Sequence, residues 1–314
     1  MNKEFLDLAE QLKSSVSCTV RLNELMSGHT SFKIGGPADI LVLPESIEQL
    51  REVLKVVKET VVPLTLLGNG SNVLVRDKGI RGIVIKLGNM LRHFYEAEDL
   101  LVFGSGYSLA LASYKAMECG RTGMEFAVGI PGSIGGAVYM NAGAYDGEMQ
   151  NIVNCVKVMD LQGNERVLTA EELNFGYRKT SLQNSGLIVT EVTLKMPSGN
   201  KDEIKSKMDD FSHRRISKQP LEMPSAGSMF KRPPGYFAGT LIDQAGLKGY
   251  TVGGAQISTK HAGFVVNVGG ATAADVLQLI KDVQTKIKAG VGVELQPEVL
   301  VIGEESVSYT HLRA

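Results

Sequence analysis

Leu67-Gly68-Asn69-Gly70-Ser71-Asn72-Val73-Leu74-Val75 is the stretch on which the fold class turns. An apolar strand, Pro63–Leu67, runs straight into a turn of small residues, and a second apolar run, Val73–Val75, leaves it. Backbone N–H groups in such a turn can converge, and small side chains let an anion approach them, as in the nests that hold phosphate. The turn lacks the G-x-x-x-x-G-K-[ST] run of a Walker A loop. It also departs from the Rossmann order G-x-G-x-x-G, since Val73 stands where the third glycine belongs and a strand follows instead of a helix. Taken alone, the pentapeptide reads equally as a phosphate site and as an ordinary tight turn.

A second loop changes that balance. Gly129-Ile130-Pro131-Gly132-Ser133-Ile134-Gly135-Gly136 lies in the richest glycine stretch of the chain, and Asn141-Ala142-Gly143-Ala144-Tyr145 continues its small, polar surface. Two small-residue loops from separate αβ units point to one long, diphosphate-bridged cofactor clamped between them. A close helix–strand contact that merely needs glycine is the alternative for this second loop by itself.

The flanking sequence divides into three regions. Residues 1–20 read as a helix with Phe5, Leu8 and Leu12 on one side. A strand is expected at Asp39–Leu43, and Ser46 with Gln49 three residues later opens a helix carrying Leu50, Val53, Leu54 and Val57. Ile83–Leu87 reads as a further strand. From Met90 the pattern predicts strands at Leu101–Phe103, Val153–Asp160, Glu165–Leu168 and Leu187–Lys195, with a helix at Leu109–Glu118. Beyond a linker at Pro197–Asn200, a helix Lys201–Lys218 faces Ile204, Met208 and Phe211 inward. A glycine-rich loop (Ala226–Gly239), a helix from Thr272 and a last strand, Glu298–Ile302, complete the chain. The expected limits are therefore 1–89, with 299–303 returning to it, 90–200 and 201–298. Residues 306–314 show no periodicity and read as a non-native tail.

Bulk properties narrow the classes. In 314 residues, 33 Lys and Arg face 34 Asp and Glu, so no net field favours nucleic acid or an anionic membrane. Three cysteines, odd in number and without a C-x-x-C, argue against a disulfide framework or a structural zinc site and for a reducing compartment. No long apolar run and no secretory signal is present, so a cytoplasmic protein is expected, with no membrane partner and monomeric.

Seven blocks then resemble a known family in order and spacing. They are S-F-K-I-G-G-P-A-D (31–39), L-G-N-G-S-N-V-L-V (67–75), G-I-P-G-S-I-G-G-A-V-Y-M-N-A-G-A-Y (129–145), Y-R-K-T-S (177–181), A-G-S-M-F-K-R-P (226–233), G-T-L-I-D-Q-A-G-L-K-G (239–249) and E-L-Q-P-E-V (294–299). The chain resembles the UDP-N-acetylenolpyruvoylglucosamine reductase family over about residues 20–303. The resemblance implies an α+β chain with a two-part FAD-binding domain of the PCMH/vanillyl-alcohol-oxidase type and a C-terminal α+β substrate domain. It implies NADPH-dependent reduction of UDP-N-acetylglucosamine enolpyruvate to UDP-N-acetylmuramate in peptidoglycan precursor synthesis. Covalent relatives place a histidine near the first loop; here Ser71 and Asn72 stand there, so FAD should be non-covalent. Tyr177-Arg178 is followed quickly by Thr180-Ser181, as in the shorter second type of the family, which lacks an inserted substrate-contacting tyrosine.

The same resemblance assigns roles. Arg178 and Glu298 stabilise an enolate, and Ser228 donates the proton. The types suit the tasks: arginine offers a carboxylate a bidentate fork, and a hydroxyl placed opposite a basic enolate can deliver a proton. Cofactor contacts are expected from Gly68, Asn69, Gly70, Ser71, Asn72, Ile130, Pro131, Gly132, Ser133, Gly135, Gly136, Asn141, Gly143 and Ile188. Substrate contacts are expected from Tyr177, Arg215, Lys218, Gly227, Lys231 and Arg232. The cations of His213–Pro220 also read as a solvated helix face near its C-terminus, while by resemblance Arg215 and Lys218 bind phosphates of UDP or NADPH. Two rival readings stay open: another FAD-linked oxidoreductase of the same fold acting on a different alcohol or α-hydroxy acid, and a non-catalytic nucleotide-binding module.

Overall fold

The computed structural model describes residues 3–88 and 90–305. Two compact units divide the chain. Unit 1 takes Met1–Arg21, Ile40–Ser71 and Val84–Leu221, and unit 2 takes Leu22–Asp39, Asn72–Ile83 and Glu222–Ala314. The boundaries fall inside three strands, Thr19–Leu25, Pro37–Leu43 and Ile80–Lys86. With Leu64–Leu67 these form a four-stranded sheet, in the order first, second, Ile80–Lys86, Leu64–Leu67.

Unit 1 is built on a five-stranded antiparallel sheet. Its order is Glu165–Thr169, Val153–Met159, Ile188–Lys195, Leu100–Gly104, Phe94–Ala97. The helix Leu109–Glu118 and the short helix Ile134–Tyr139 cover it, burying Phe103, Leu109, Ala112, Ile134, Val138, Val156 and Val192 in one core. The helix Ile47–Lys58 starts where the sequence says it should. Ser46 Oγ accepts from Gln49 N at 3.2 Å, satisfying an end donor that a helix leaves orphaned, and Gln49 Oε1 reaches back to accept from Glu45 N, just before the cap, at 2.7 Å.

Unit 2 carries a four-stranded antiparallel sheet in the order Ser225–Ser228, Phe264–Asn267, Ala255–Ile257, Thr251–Val252. The helix Ala273–Val291 buries Val276, Leu279, Ile280, Val283 and Ile287 into its core. That helix opens on a reciprocal cap: Thr272 Oγ1 accepts from Asp275 N at 3.1 Å, and Asp275 Oδ2 accepts from Thr272 N at 2.9 Å. Hydrogen bonds to both the backbone and the hydroxyl of Thr272 hold the Asp275 carboxyl below its ordinary pKa. The segment expected to return, 299–303, contributes Leu300–Ile302, which pairs in parallel with Val73–Val75.

Three features differ from the sequence reading. Thr19–Leu25 is a strand with every second residue half-buried, where only the end of a helix was expected; the helix itself ends at Ser15. Ser225–Ser228, placed in a glycine-rich loop, is a strand because Phe264–Asn267 pairs with it. The helix Lys201–Lys218, expected to open a third region, lies in unit 1, where Ile204, Met208 and Phe211 pack with Val128 and Met117. Residues 306–314 fall outside the described residues. No helix among the described residues is long and apolar enough to cross a membrane, and none of their acidic, His and Cys side chains gather into a metal-binding group.

Candidate active site

In unit 1 the two glycine loops meet. A Cβ added at Gly132, where φ is +125°, would fall 2.9 Å from Ser71 Oγ, and one at Gly68 would fall 3.7 Å from Ser133 Oγ. Gly68, Asn69 and Gly70 donate no backbone hydrogen bond among the described residues, and neither do Gly132 and Ser133. Two sets of bare amides therefore lie side by side, at positions that are glycine or serine except for Asn69. Such an arrangement suits a diphosphate, because N–H dipoles supply fixed positive charge without any cation.

The rest of the second loop is spoken for by the protein. Ile134 N donates to Tyr107 O and Gly135 N to Ser105 O, each at 2.9 Å, while Gly136 N donates to Ser133 Oγ at 3.3 Å. A Cβ at Gly135 would stand 2.7 Å from Ser105 Cβ, so this glycine is required by packing. Ile130 N donates to Ala127 O at 3.1 Å, Pro131 is exposed, and Ile188 is buried at the start of its strand. Asn72 lies in unit 2, where its carbonyl accepts from Leu300 N at 3.0 Å and its side chain donates to Glu298 O at 3.3 Å.

Arg178 sits in a loop of unit 1 with φ of +56°, a left-handed conformation uncommon for a long side chain. Its Nη1 donates to Asn141 O at 3.2 Å and its Nη2 to Gly143 O at 3.0 Å, and its guanidinium lies 5.0 Å from the Tyr177 ring centroid. The loop is tied down on both sides of the arginine. Thr180 Oγ1 and Gln183 Nε2 donate to Tyr139 O at 2.9 and 3.2 Å, and Gln183 Nε2 also donates to Arg178 O at 3.1 Å. Tyr177 is exposed.

Ser228 is presented differently, in unit 2. Ser225 pairs with Val266 and Ser228 with Phe264, so one extra residue is accommodated between them as a bulge. Gly227 takes it at φ +79°. Ser228 is exposed while its neighbours Met229 and Phe230 are buried. Glu298, half-buried, donates its N–H to Met229 O at 2.9 Å, which sets the Glu298 backbone beside that of Ser228.

The basic residues separate sharply. Arg215 is 7% exposed, and its Nε donates to Val128 O at 2.9 Å and its Nη2 to Phe126 O at 3.4 Å. Its guanidinium stands 5.4 Å from the Tyr145 ring centroid, and burial pushes its pKa down from the ordinary arginine value. This side chain props the backbone that enters the second glycine loop. A sequence signal for it existed: Ile204, Met208, Phe211 and Arg215 fall on one helical stripe, so Arg215 extends the buried face. Lys218, three residues on, is exposed at the helix end. Lys231 is half-buried, and Arg232 is exposed with its guanidinium 4.0 Å from the Phe237 centroid.

Comparison with known proteins completes the picture. A model of FAD-binding domains matches residues 38–169, a span that includes both glycine loops. A model described as the C-terminal domain of UDP-N-acetylenolpyruvoylglucosamine reductase matches residues 219–302, which include Ser228 and Glu298. The UDP-N-acetylenolpyruvoylglucosamine reductase of Clostridioides difficile is 49% identical over 91% of this chain and 94% of its own length. That of Clostridium perfringens is 50% identical over 96% of this chain and 98% of its own. Among solved structures, the reductase of the same name from Thermus caldophilus is 38% identical and superposes with a TM-score of 0.76 over 90% of this chain and 98% of its own.

Proposed function

The chain belongs to the UDP-N-acetylenolpyruvoylglucosamine reductase family, and on that premise we propose how its residues share the work. It is an FAD-dependent oxidoreductase that reduces the enolpyruvyl ether of UDP-N-acetylglucosamine enolpyruvate in peptidoglycan precursor synthesis. The observation that carries the reading is the pair of loops whose unbonded amides, at Gly68–Gly70 and at Gly132–Ser133, lie together in unit 1. They fit the diphosphate of FAD, and Gly132 leaves that approach clear of side chain. FAD held there supplies the hydride for the terminal enolpyruvyl carbon.

The chain's own residues do the rest. Hydride addition moves charge toward the substrate carboxylate, and that charge is stabilised by donors already aimed at it. Arg178 suits this task because two carbonyls fix the plane of its fork before substrate arrives. Ser228, exposed on its bulge, delivers the proton to the adjacent carbon. Glu298, on the backbone next to it, orients the reacting group. Lys218, Lys231 and Arg232 bind phosphates, and NADPH is the electron donor. The compartment is the cytoplasm, in keeping with the three free cysteines Cys18, Cys119 and Cys155.

Anaerobic mixing tests this directly. The purified protein should be yellow, bleach with NADPH and recover its colour when UDP-N-acetylglucosamine enolpyruvate is added. A colourless protein that takes up no FAD, or colour that fails to return, overturns the reading.

A further inference from the structure

Asn141 was expected to touch the cofactor, yet its side chain is wholly consumed inside the protein. It is 0% exposed, and both of its amide hydrogens are committed, to Glu148 Oε2 at 3.1 Å and to Gly176 O at 3.0 Å. Its Oδ1 accepts from Gln150 N at 3.0 Å. Its backbone is left-handed, φ +43°, a conformation asparagine tolerates better than most residues. Meanwhile its own carbonyl, and that of Gly143 two residues on, each receive a hydrogen bond from the Arg178 guanidinium.

Asn141 thus grips the Arg178 loop twice. Its side chain holds Gly176, two residues before the arginine, and its main chain holds the guanidinium. We propose that Asn141 is the positioning residue that aims Arg178, through a peptide oriented by its side chain and not through any contact of its own with cofactor or substrate. The inference rests on the role given to Arg178 above. Glu148 is its anchor, because that carboxylate fixes which way the Asn141 amide points. Unpinning the amide frees the peptide to rotate, and a guanidinium displaced by about an ångström loses about 10²-fold in an oriented step.

Glycine at 141 keeps the left-handed backbone and the carbonyl while removing the side chain, so Asn141→Gly is the informative variant. In the FAD-loaded enzyme, reoxidation by UDP-N-acetylglucosamine enolpyruvate should slow by about 10- to 100-fold. The Kd of the apoprotein for FAD and the rate of reduction by NADPH should stay at wild-type values. In an Arg178→Ala background the same change should cost nothing further, since its effect passes through the arginine. Full additivity, or equal loss in both half-reactions, or weakened FAD binding, overturns the proposal. Where Asn141→Gly yields no folded holoenzyme, Glu148→Ala decides: slower reoxidation with FAD affinity intact upholds the inference, and unchanged reoxidation sinks it. Normal reoxidation in Arg178→Ala alone would instead remove the role assigned to Arg178, a failure distinct from that of Asn141.

Discussion

Arg178 and Ser228 are set in place by opposite means. The Arg178 loop of unit 1 is held by side chains reaching carbonyls: Asn141 to Gly176, Thr180 and Gln183 to Tyr139, Arg178 itself to Asn141 and Gly143. The same device recurs where Arg215 holds Phe126 and Val128 ahead of the second glycine loop. In unit 2, Ser228 is aimed by backbone alone, through one bulge at Gly227 in an otherwise regular strand pair. A site hung on side chains is exposed to substitutions at a distance. A site hung on a strand is exposed mainly to changes at the bulge.

The sharpest test of that contrast is Ser228→Ala. Reoxidation by substrate should fall by about 10²- to 10⁴-fold, with flavin reduction and melting temperature unaltered, because Ser228 is exposed. Equal loss in both half-reactions would break the contrast. Arg215→Ala should behave in the reverse manner. It strips charged donors from two carbonyls and should lower stability by about 1.5–3 kcal/mol, read as a drop in the denaturant midpoint, and should loosen FAD. The exposed Lys218→Ala should instead raise the apparent KM for a phosphate-bearing ligand at unchanged stability. If Arg215→Ala shifts only that KM, Arg215 is a substrate residue after all.

A smaller effect is expected from Gly227→Ala. No atom lies within 4 Å of the added Cβ, so the penalty is conformational alone. About 1–2 kcal/mol should appear as a lower melting temperature and slower reoxidation. Gly227→Asn, which tolerates a left-handed backbone, should recover most of both. Smallest is the cap of the long unit 2 helix. Asp275 has a lowered pKa in the folded state, so its contribution is present above the unfolded value, near 3.8, and disappears as pH falls through the folded value. Asp275→Asn should melt lower than wild type at neutral pH, and the two curves should converge in acid.

What the sequence disclosed was local. The helices Leu109–Glu118 and Lys201–Lys218 and the starts of Ile47–Lys58 and Ala273–Val291 follow from caps and apolar spacing within a few residues, and each is found where expected. The glycine loops announced themselves by composition. What stayed hidden depends on distant partners. Ser225–Ser228 becomes a strand only by pairing with Phe264–Asn267, whereas the alternation of Val20, Arg21, Leu22 and Asn23 in Thr19–Leu25 is a strand signal that the helix reading of residues 1–20 passed over. Asn141 gave no sign of its attachment to Gly176, since nothing near residue 141 encodes a hydrogen bond to a loop so far along the chain. Arg215 was legible in principle, had the apolar stripe been followed one turn further.

The parallel pairing of Leu300–Ile302 with Val73–Val75 has a consequence for how the polypeptide is made. Everything in unit 1 has been translated once residue 221 leaves the ribosome, whereas the segments 22–39 and 72–83 must wait for 222 onward. During that interval the nascent chain carries the apolar edge Val73–Val75 unmated. A chaperone that binds short hydrophobic stretches should therefore crosslink there in stalled chains ending before residue 300, and release once Ile302 has emerged.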